Sequence, residues 1–431
     1  MTPRVVIIGA GFAGYNAARV LTRKHGRQVD VTIVNPTDFM LYQPLLPDVA
    51  AGIVDPRHAA VSLAATLPRA RLLPGVATAV EIDRRAVHYT DPDGRARQVS
   101  YDRLVIGVGA VNKVLPIEGS ADYSHGLKGI PEALYLRDHI IRQVELAAVA
   151  ETEEERRARL TFVVVGAGYT GTETAAVGQL FTRSITRRHP HLKARWILVQ
   201  YAGHLLPELG PYLQRAAERT LRERGVELRL NTSVAKEEAE GVLLTDGEFV
   251  AARTVVWTTG VRPDPVVESF GLPTTHGRIR TDEYLAVDGH PEIYAAGDVA
   301  AVPDLLNPGE PTPMTGQHAE RQGAVAGRNV AASLGLRTAK PYKHHPLGFL
   351  VDLGGAKATA DPLGIPMSGV LAKVVTRAYH LYAMPGNRVR VAVDWALDAL
   401  LPRQVVRLGL VSEDAVPLDS ADPELPRRAG R

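Results

Sequence analysis

Cysteine is missing from this chain of 431 residues. Without thiols the protein cannot form or exchange disulfides, and it cannot hold an iron–sulfur cluster or a zinc ion through sulfur. Enzymes that attack a disulfide or process a sulfide with a catalytic cysteine are therefore excluded. The absence separates the chain from redox families that work through protein sulfur.

A long apolar run is also missing. No uninterrupted apolar stretch approaches the ~18 residues that a membrane-spanning helix requires. The N-terminus enters a strand-like segment almost at once, without the basic start, apolar core and cleavage site of a secretory signal. These absences predict a cytoplasmic protein, whose contact with a membrane would be peripheral and on the inner face.

A strong charge bias, a metal-ligand pattern and a nucleic-acid-binding pattern are absent as well. The formal net charge is +3, and 45% of the residues are hydrophobic, which is typical of a globular protein. Because no basic stripe with interleaved aromatic residues occurs, nucleic acid is not an expected partner. His344 and His345 stand beside Pro346 without acidic ligands around them, so no metal site is predicted.

The clearest pattern that is present lies near the N-terminus. The β-branched run 5–8 predicts a buried parallel strand, and Gly9, Gly11 and Gly14 follow it with the spacing GxGxxG before a helical segment. In a strand–turn–helix of this kind, the glycines allow a tight turn, a close approach to a pyrophosphate and close packing of helix on strand. The phosphates then meet free amides at the start of the helix. The pattern predicts a dinucleotide site.

The same pattern occurs a second time. The segment VVVGAGYTG places Gly166, Gly168 and Gly171 in the same relation to a strand and a helix. An internal repeat of this kind is more specific than either copy. The sequence therefore predicts an α/β fold with two Rossmann-like dinucleotide-binding domains. The alternative is that one glycine string serves only close packing.

Two amide side chains stand where an acid is usual. Asn35 ends the second predicted strand of the first copy, and Gln200 ends the corresponding strand of the second. A Rossmann unit usually has Asp or Glu at this position to bind a ribose. An amide can still bond a hydroxyl but brings no charge, and no Arg follows Gln200 directly. The choice between NADH and NADPH stays open.

The C-terminal part of the chain changes character. Ten Lys or Arg residues face four Asp or Glu between 337 and 410, and 388–408 contains Val393, Leu397 and Leu400 at helical spacing. A basic amphipathic helix with a Trp can lie on a membrane surface. The alternative is that this stripe is buried against the body of the protein or against a second copy in a homodimer. The tail 411–431 is predicted to be disordered.

The ordered series of motifs resembles the type II NADH dehydrogenases, the non-pumping NADH:quinone oxidoreductases, from Val5 to about Leu408. The more specific matches are the segments FMLYQPLLPDVAAG, GAVNKVLPIEG and LKGIPEALYLRDHI. The segment 316–323 is similar to the quinone-side motif of that family, although Gly316 replaces the usual Ala. The segment DWALDALLPRQVVRL is similar to the membrane helix of the family but is less apolar.

The resemblance implies a role for each motif. The positions that match the FAD site are Gly9, Gly11, Gly14, Asn35, Ala77, Gly109 and Asp298, with Gln43 and Pro44 near the isoalloxazine ring. The positions that match the NAD(P)H site are Gly166, Gly168, Gly171, Gln200 and Gly260. Gln317 and Gln322 would border the quinone, and Glu173 would relay protons. The alternative for Glu173 is an acid that only favours the helix dipole.

The function implied by the resemblance is hydride transfer from NADH or NADPH to FAD, followed by transfer of two electrons to a quinone. One alternative is a soluble NAD(P)H-dependent flavin oxidoreductase with another small molecule or an electron-transfer protein as acceptor. A second alternative is a redox-responsive flavoprotein scaffold. The expected domains are an FAD domain in 1–117 and 268–336, an NAD(P)H domain in 118–267, and an α-rich C-terminal region in 337–410 with the potential to bind membrane.

Overall fold

The computed structural model describes residues 2–426, which divide into two compact units. The first unit comprises Met1–Tyr42, Ala60–Val111 and Val261–His345, and the second comprises Gln43–Ala59, Asn112–Gly260 and Pro346–Arg431. The α-helices are α1 (Phe12–His25), α2 (Leu46–Ala50), α3 (Pro56–Ala59), α4 (Leu63–Thr66), α5 (Ser120–Tyr123), α6 (Ile130–Ala148), α7 (Glu153–Leu160), α8 (Tyr169–Ile185), α9 (Pro211–Glu223), α10 (Gly316–Ser333), α11 (Val370–Ala383) and α12 (Arg388–Leu400).

A six-stranded sheet forms the centre of the first unit. Its strands lie in the order Ala286–Val287, His290–Ala295, Arg103–Ile106, Arg4–Ile8, Asp30–Asn35 and Ala70–Pro74, and all but the first are parallel. The predicted run 5–8 forms the buried strand next to the first glycine turn. A strand covered on both faces needs such a continuous apolar run. The smaller sheets of this unit are Val76–Glu81 with Ala86–Thr90 and Ala96–Ser100, Thr274–Thr275 with Arg278–Arg280 and Ala300–Ala301, and Phe39–Leu41 with Ala60–Ser62.

A five-stranded parallel sheet forms the centre of the second unit. Its strands lie in the order Ser124–His125, Thr254–Trp257, Thr161–Val165, Arg195–Gln200 and Val226–Leu230. A three-stranded antiparallel sheet contains Val234–Glu238, Gly241–Leu244 and Phe249–Ala251. In both units the strand before the glycine turn lies inside the sheet, and the next strand along the chain is its parallel neighbour. The predicted α/β fold with two Rossmann-like units is confirmed.

The C-terminal region contains strands that the sequence did not predict. Leu350–Asp352, Ala358–Ala360 and Met367–Gly369 form an antiparallel sheet before α11. The predicted amphipathic helix 388–408 ends earlier, at Leu400, since Pro402 cannot continue it. Within residues 2–426, no helix combines the length and the hydropathy needed to cross a bilayer.

The tail differs from the prediction of disorder. Leu418 is fully buried in the apolar core of the second unit, and its carbonyl oxygen accepts a hydrogen bond of 3.3 Å from Asn112 Nδ2. Burial of one large apolar side chain, together with a backbone hydrogen bond, offsets part of the entropy lost when a short segment is ordered. The described part of the tail is therefore packed against the protein, whereas 427–431 lie outside the described residues.

Glu237 is a buried acid of the second unit. Its side chain is 1% exposed, and Oε2 accepts a hydrogen bond of 2.7 Å from Ser124 Oγ. Oε1 has no hydrogen-bond partner among the described residues. Burial, with a smaller contribution from Asp122, raises the pKa of Glu237 from 4.5 to about 8. The fold therefore favours the protonated acid.

We expect Glu237→Gln to stabilise the protein at pH 8 but not at pH 5. Because the pKa of Glu237 is raised in the folded state, wild-type stability falls as the pH rises from 4.5 towards 8, and the neutral amide removes this dependence. Thermal unfolding at the two pH values measures the difference. Glu238→Gln is the matched control, since Glu238 is an exposed neighbour paired with Lys236 at 3.1 Å. Equal effects of the two substitutions at both pH values would contradict the prediction.

Candidate active site

The first glycine turn brings the backbone against itself and leaves open space beyond it. Gly9 has φ of +87°, and a Cβ there would lie 2.5 Å from the carbonyl oxygen of Gly107. A Cβ on Gly14 would lie 1.9 Å from the carbonyl oxygen of Gly9. A Cβ on Gly11, which precedes α1, would meet nothing within 4 Å, and no side chain caps the helix. The free amides of α1 therefore suit a pyrophosphate.

The second glycine turn repeats this geometry in its own unit. A Cβ on Gly166 would lie 2.7 Å from the carbonyl oxygen of Thr258, and one on Gly171 would lie 1.9 Å from the carbonyl oxygen of Gly166. A Cβ on Gly168 would meet nothing within 4 Å, and α8 begins without a side-chain cap. Each turn thus has two positions closed to a side chain and one that faces free space.

The two unexpected amides occupy equivalent positions. Asn35 Oδ1 accepts a hydrogen bond of 2.7 Å from the backbone amide of Ala10, inside the first turn. Gln200 Oε1 accepts a bond of 3.2 Å from the backbone amide of Ala167, inside the second turn. Asn35 Nδ2 also donates to Thr37, at 2.9 Å to its carbonyl oxygen. Both side chains therefore hold the glycine turns in place by accepting a hydrogen bond from the turn backbone.

Gln322 and Gln317 differ in their surroundings. Gln322 is 1% exposed, its Oε1 accepts a bond of 2.8 Å from the backbone amide of Gly297, and its Nε2 donates to Thr312 Oγ1 at 2.8 Å. Its amide is therefore engaged inside the first unit, where it holds the turn next to Asp298. Gln317, in the first turn of α10, is partly exposed.

The remaining predicted residues are divided between the units. Ala77 is buried in the strand Val76–Glu81 of the first unit, and Gly109 has φ of +83° with open space beside it. Gly260, with φ of +110°, also faces open space but belongs to the second unit. Gln43 and Pro44 belong to the second unit, although they were assigned to the FAD site, and Gln43 Nε2 donates to the carbonyl oxygen of Lys128 at 3.4 Å.

An enclosed cavity in the second unit contains the predicted relay acid, Glu173. Its volume is about 10 Å³, and the residues that line it are Pro44, Leu45, Pro47, Asp48, Glu173, Val177, Asp352, His380 and Trp395. A space of this size holds about one water molecule. Glu173 Oε1 accepts a bond of 2.8 Å from the backbone amide of Asp352. Burial nevertheless raises the pKa of Glu173 well above its ordinary value of 4.5.

Asp48, on α2, is a second acid in this cavity. Its side chain is buried, and Oδ2 accepts a bond of 2.8 Å from Trp395 Nε1. Burial and the negative charge of Asp352 raise the pKa of Asp48 to about 6, against the lowering effects of Lys373 and of the Trp395 bond. Asp48 therefore changes its protonation close to neutral pH.

Lys373 provides a buried positive charge next to the cavity. Its Nζ contacts both carboxylate oxygens of Asp352, and its side chain is 7% exposed. Burial lowers the pKa of His380 to about 4, so this histidine is neutral at pH 7. No sequence motif predicted the five other polar or aromatic residues around this cavity, which are Asp48, Asp352, Lys373, His380 and Trp395. Two features of the sequence could have indicated them: Asp48 is an acid inside a Pro-rich apolar segment, and Lys373 interrupts the apolar pattern of α11.

Comparisons with known proteins show the family of this chain. Residues 3–323 match the family model described as pyridine nucleotide-disulphide oxidoreductase. A relative from Mycobacterium tuberculosis, the type II NADH:quinone oxidoreductase NdhA, is 31% identical over 91% of this chain and 86% of its own length. The demethylphylloquinone reductase NdbB of Synechocystis is 26% identical over 91% of this chain and 95% of its own length.

A solved structure shows the same fold. The NDH2 structure from Plasmodium falciparum, in complex with NADH, superposes with a TM-score of 0.87. The superposed part comprises 94% of this chain and 100% of the Plasmodium chain, and the sequence identity is 17%.

We expect Gly11→Ala and Gly168→Ala to separate the two nucleotide sites. Each added methyl group projects into the free space of one turn, so it should weaken nucleotide binding there without a clash in the fold. Gly11→Ala should lower the content of bound flavin, and Gly168→Ala should keep the flavin but weaken NAD(P)H binding. Absorbance at the flavin bands and calorimetric titration with NADH measure the two effects.

Gly14→Ala is the contrasting variant, since its methyl group would overlap the backbone of Gly9. We expect it to unfold at a lower temperature than either of the other two variants. If all three substitutions lowered flavin content and thermal stability alike, the division between closed and open positions would be wrong.

Proposed function

This chain belongs to the pyridine nucleotide-disulphide oxidoreductase family and, within it, to the type II NADH:quinone oxidoreductases, and from this premise we propose that it oxidises NAD(P)H with FAD and passes the electrons to a quinone. The observation that carries the proposal is the pair of glycine turns, each with an open position before an uncapped helix. One turn serves each nucleotide: the first unit is assigned to FAD and the second to NAD(P)H.

The residues of the chain supply binding, orientation and proton handling. FAD, when bound, supplies the ability to accept a hydride and to release electrons to an acceptor. The amides at the start of α1 and α8 bind the two pyrophosphates, and Asn35 and Gln200 fix the turns that present those amides. Burial raises the pKa of Glu173 well above its ordinary value and so favours the protonated form of its carboxyl group. No thiol takes part, because the chain has none.

A quinone is the favoured acceptor because the segment 316–323 is similar to the quinone-side motif of the family. The two glutamines of this motif differ in role. Gln317 is partly exposed and is the candidate for direct contact with the acceptor. Gln322 acts on the backbone at Gly297 and so positions the turn that contains Asp298.

Anaerobic stopped-flow absorbance tests the proposed function in two steps. The flavin of the purified protein is first reduced with NADH or NADPH and is then mixed with a soluble menaquinone or ubiquinone analogue. We expect bleaching in the first step and recovery of the flavin absorbance with quinone at a rate above that with oxygen. If oxygen reoxidises the flavin faster than any quinone does, the alternative of a soluble flavin oxidoreductase with another acceptor is favoured.

We further propose that α12 contacts the surface of a membrane. Val389, Val393, Leu397 and Leu400 lie along one side of α12 and are exposed, with Leu400 at 80%. The opposite side of this helix is covered, because Val391 and Trp395 are buried. An exposed apolar stripe with arginines beside it suits the interface of an anionic bilayer.

The double substitution Val389→Glu and Leu400→Glu tests this surface. We expect it to abolish flotation of the protein with phosphatidylglycerol vesicles, since two charges would have to enter the interface, and to leave bleaching by NADH unchanged. Val149→Glu is the matched control, because Val149 is 75% exposed and lies at the end of α6. If the wild-type protein does not float and the double variant instead separates a dimer in analytical ultracentrifugation, the stripe serves a homodimer.

We expect Gln200→Glu to shift the preference between the two nicotinamide nucleotides towards NADH. A carboxylate at this position bonds a free ribose hydroxyl and repels a 2′-phosphate, while one of its oxygens can still accept from Ala167. The ratio of the bleaching rates with NADPH and NADH should fall ~10-fold or more. Gln200→Leu removes the bond to the turn and should weaken both nucleotides alike. An unchanged ratio of the two bleaching rates in Gln200→Glu would show that the ribose does not bind beside residue 200.

A further inference from the structure

The enclosed cavity is lined by more carboxyl groups than the neighbouring positive side chains can neutralise. Asp48, Glu173 and Asp352 line it, and the ammonium group of Lys373 is engaged by Asp352. Carboxylates that share a buried space cannot all ionise, because each charge is poorly solvated and repels the others. At least one acid of this group must therefore hold a proton that it can release.

We propose that Asp48 is a second proton-holding group of the acceptor half of the reaction and that the indole of Trp395 positions its carboxyl group. This inference rests on the proposed function. NAD(P)H gives up two electrons and one proton as a hydride, whereas formation of a quinol consumes two electrons and two protons. Each turnover thus takes one further proton from solvent. The O–H bond at Asp48 Oδ1 breaks as this proton leaves for the acceptor side, and Oδ1 then takes a new proton from solvent.

The geometry selects one oxygen atom of Asp48. Oδ2 is held by Trp395 Nε1 at 2.8 Å, so Oδ1 is the atom left to carry the proton. The segment that precedes α2 contains Gln43 and Pro44, which the resemblance places near the flavin, and Pro44 lines the cavity. Asp48 follows Pro44 by about one helical turn along the chain.

Every element around Asp48 contributes to its charge balance. Glu173 faces the cavity from α8, Asp352 from the strand Leu350–Asp352, and His380 from α11. Lys373 and Arg377 on α11 provide the positive charges. Burial, together with these opposing charges, raises the pKa of Asp48 to about 6, within reach of neutral pH. A group that titrates near the working pH can both release and recover a proton.

Trp395 is fixed from both sides. Its side chain is 4% exposed, and the guanidinium carbon of Arg377 lies 4.8 Å from the centre of its ring. The neighbouring Asp394 bonds His58 Nδ1 at 2.6 Å and so attaches α12 to α3. The indole therefore donates to Asp48 from a set position. This hydrogen bond favours the charged form and lowers the pKa of Asp48.

A nuclear magnetic resonance titration of the holoenzyme tests whether Asp48 holds the proton, without reference to turnover. The chain has three tryptophans, and only the indole of Trp395 donates to an acid. The indoles of Trp196 and Trp257 donate to Thr182 Oγ1 and to the carbonyl oxygen of Lys113, so they serve as internal references. We expect the ¹H–¹⁵N indole signal of Trp395, assigned from Trp395→Phe, to titrate with a midpoint near pH 6. Asp48→Asn should abolish the titration, and Asp48→Glu should keep it.

Kinetics with two kinds of acceptor test whether the proton is used. Ferricyanide takes electrons without protons, whereas a quinone takes both. We expect Asp48→Asn to slow reoxidation by a quinone analogue ~10-fold or more and to leave ferricyanide reduction and bleaching by NADH unchanged. In the wild-type protein the quinone rate should fall as the pH rises through about 6, because the protonated fraction of Asp48 falls.

Three variants separate this role from a structural one. Trp395→Phe removes the hydrogen bond that lowers the pKa of Asp48, so the fall in rate should move to higher pH, and Asp48→Glu should restore most of the quinone rate. Glu153→Gln removes an exposed ion pair with Arg156 on α7, a helix that does not line the cavity, and should move neither the midpoint nor the ratio of quinone to ferricyanide rates.

Two results would overturn the inference. If Asp48→Asn slows both acceptors equally or leaves the pH profile with quinone unchanged, the inference fails and the proposed function stands. If ferricyanide but no quinone reoxidises the wild-type protein, the proposed function fails and the inference with it.

Discussion

Both nucleotide sites depend on one constraint: a helix has to begin so close to the end of a buried strand that its free amides face outwards with no side chain in front of them. At Gly14 and Gly171 a Cβ would lie 1.9 Å from a carbonyl oxygen, so the third position of each turn is closed to every other residue. The second position, Gly11 or Gly168, has free space instead. Packing therefore fixes the first and third glycines of each turn, and the second leaves free space in front of the helix.

The same turns explain Asn35 and Gln200. In each repeat the amide oxygen accepts a hydrogen bond from the backbone of the glycine turn, and the side chain brings no charge to the end of the second strand. The two repeats therefore share the same hydrogen bond, from the backbone of the glycine turn to an amide side chain in place of the usual acid. In the first unit, Asn35 Nδ2 also donates a hydrogen bond to the carbonyl oxygen of Thr37.

The two glycine turns and the central strands could be predicted from the sequence, because residues close together along the chain determine them. The acid cavity could not, because α2, α8, α11, α12 and the strand Leu350–Asp352 meet only in the folded second unit. In the sequence, Lys373 stands at an apolar position of the helical pattern of α11. Only the fold brings Asp352 opposite it. The tail was predicted to be disordered from its composition, yet Leu418 completes an apolar core formed by residues far from it in sequence. The roles assigned to Glu173, Gln317 and Gln322 remain proposals that rest on the resemblance and on these surroundings.

In the proposed function the electron pair of NAD(P)H passes to a single bound flavin, without a protein thiol. An anaerobic titration of the purified protein with NADH tests this claim directly through the flavin absorbance. The account predicts complete bleaching by one equivalent of NADH per bound flavin, because the chain has no thiol that could store a second electron pair. A requirement for two equivalents, or a flavin that NADH and NADPH both fail to bleach, would contradict it.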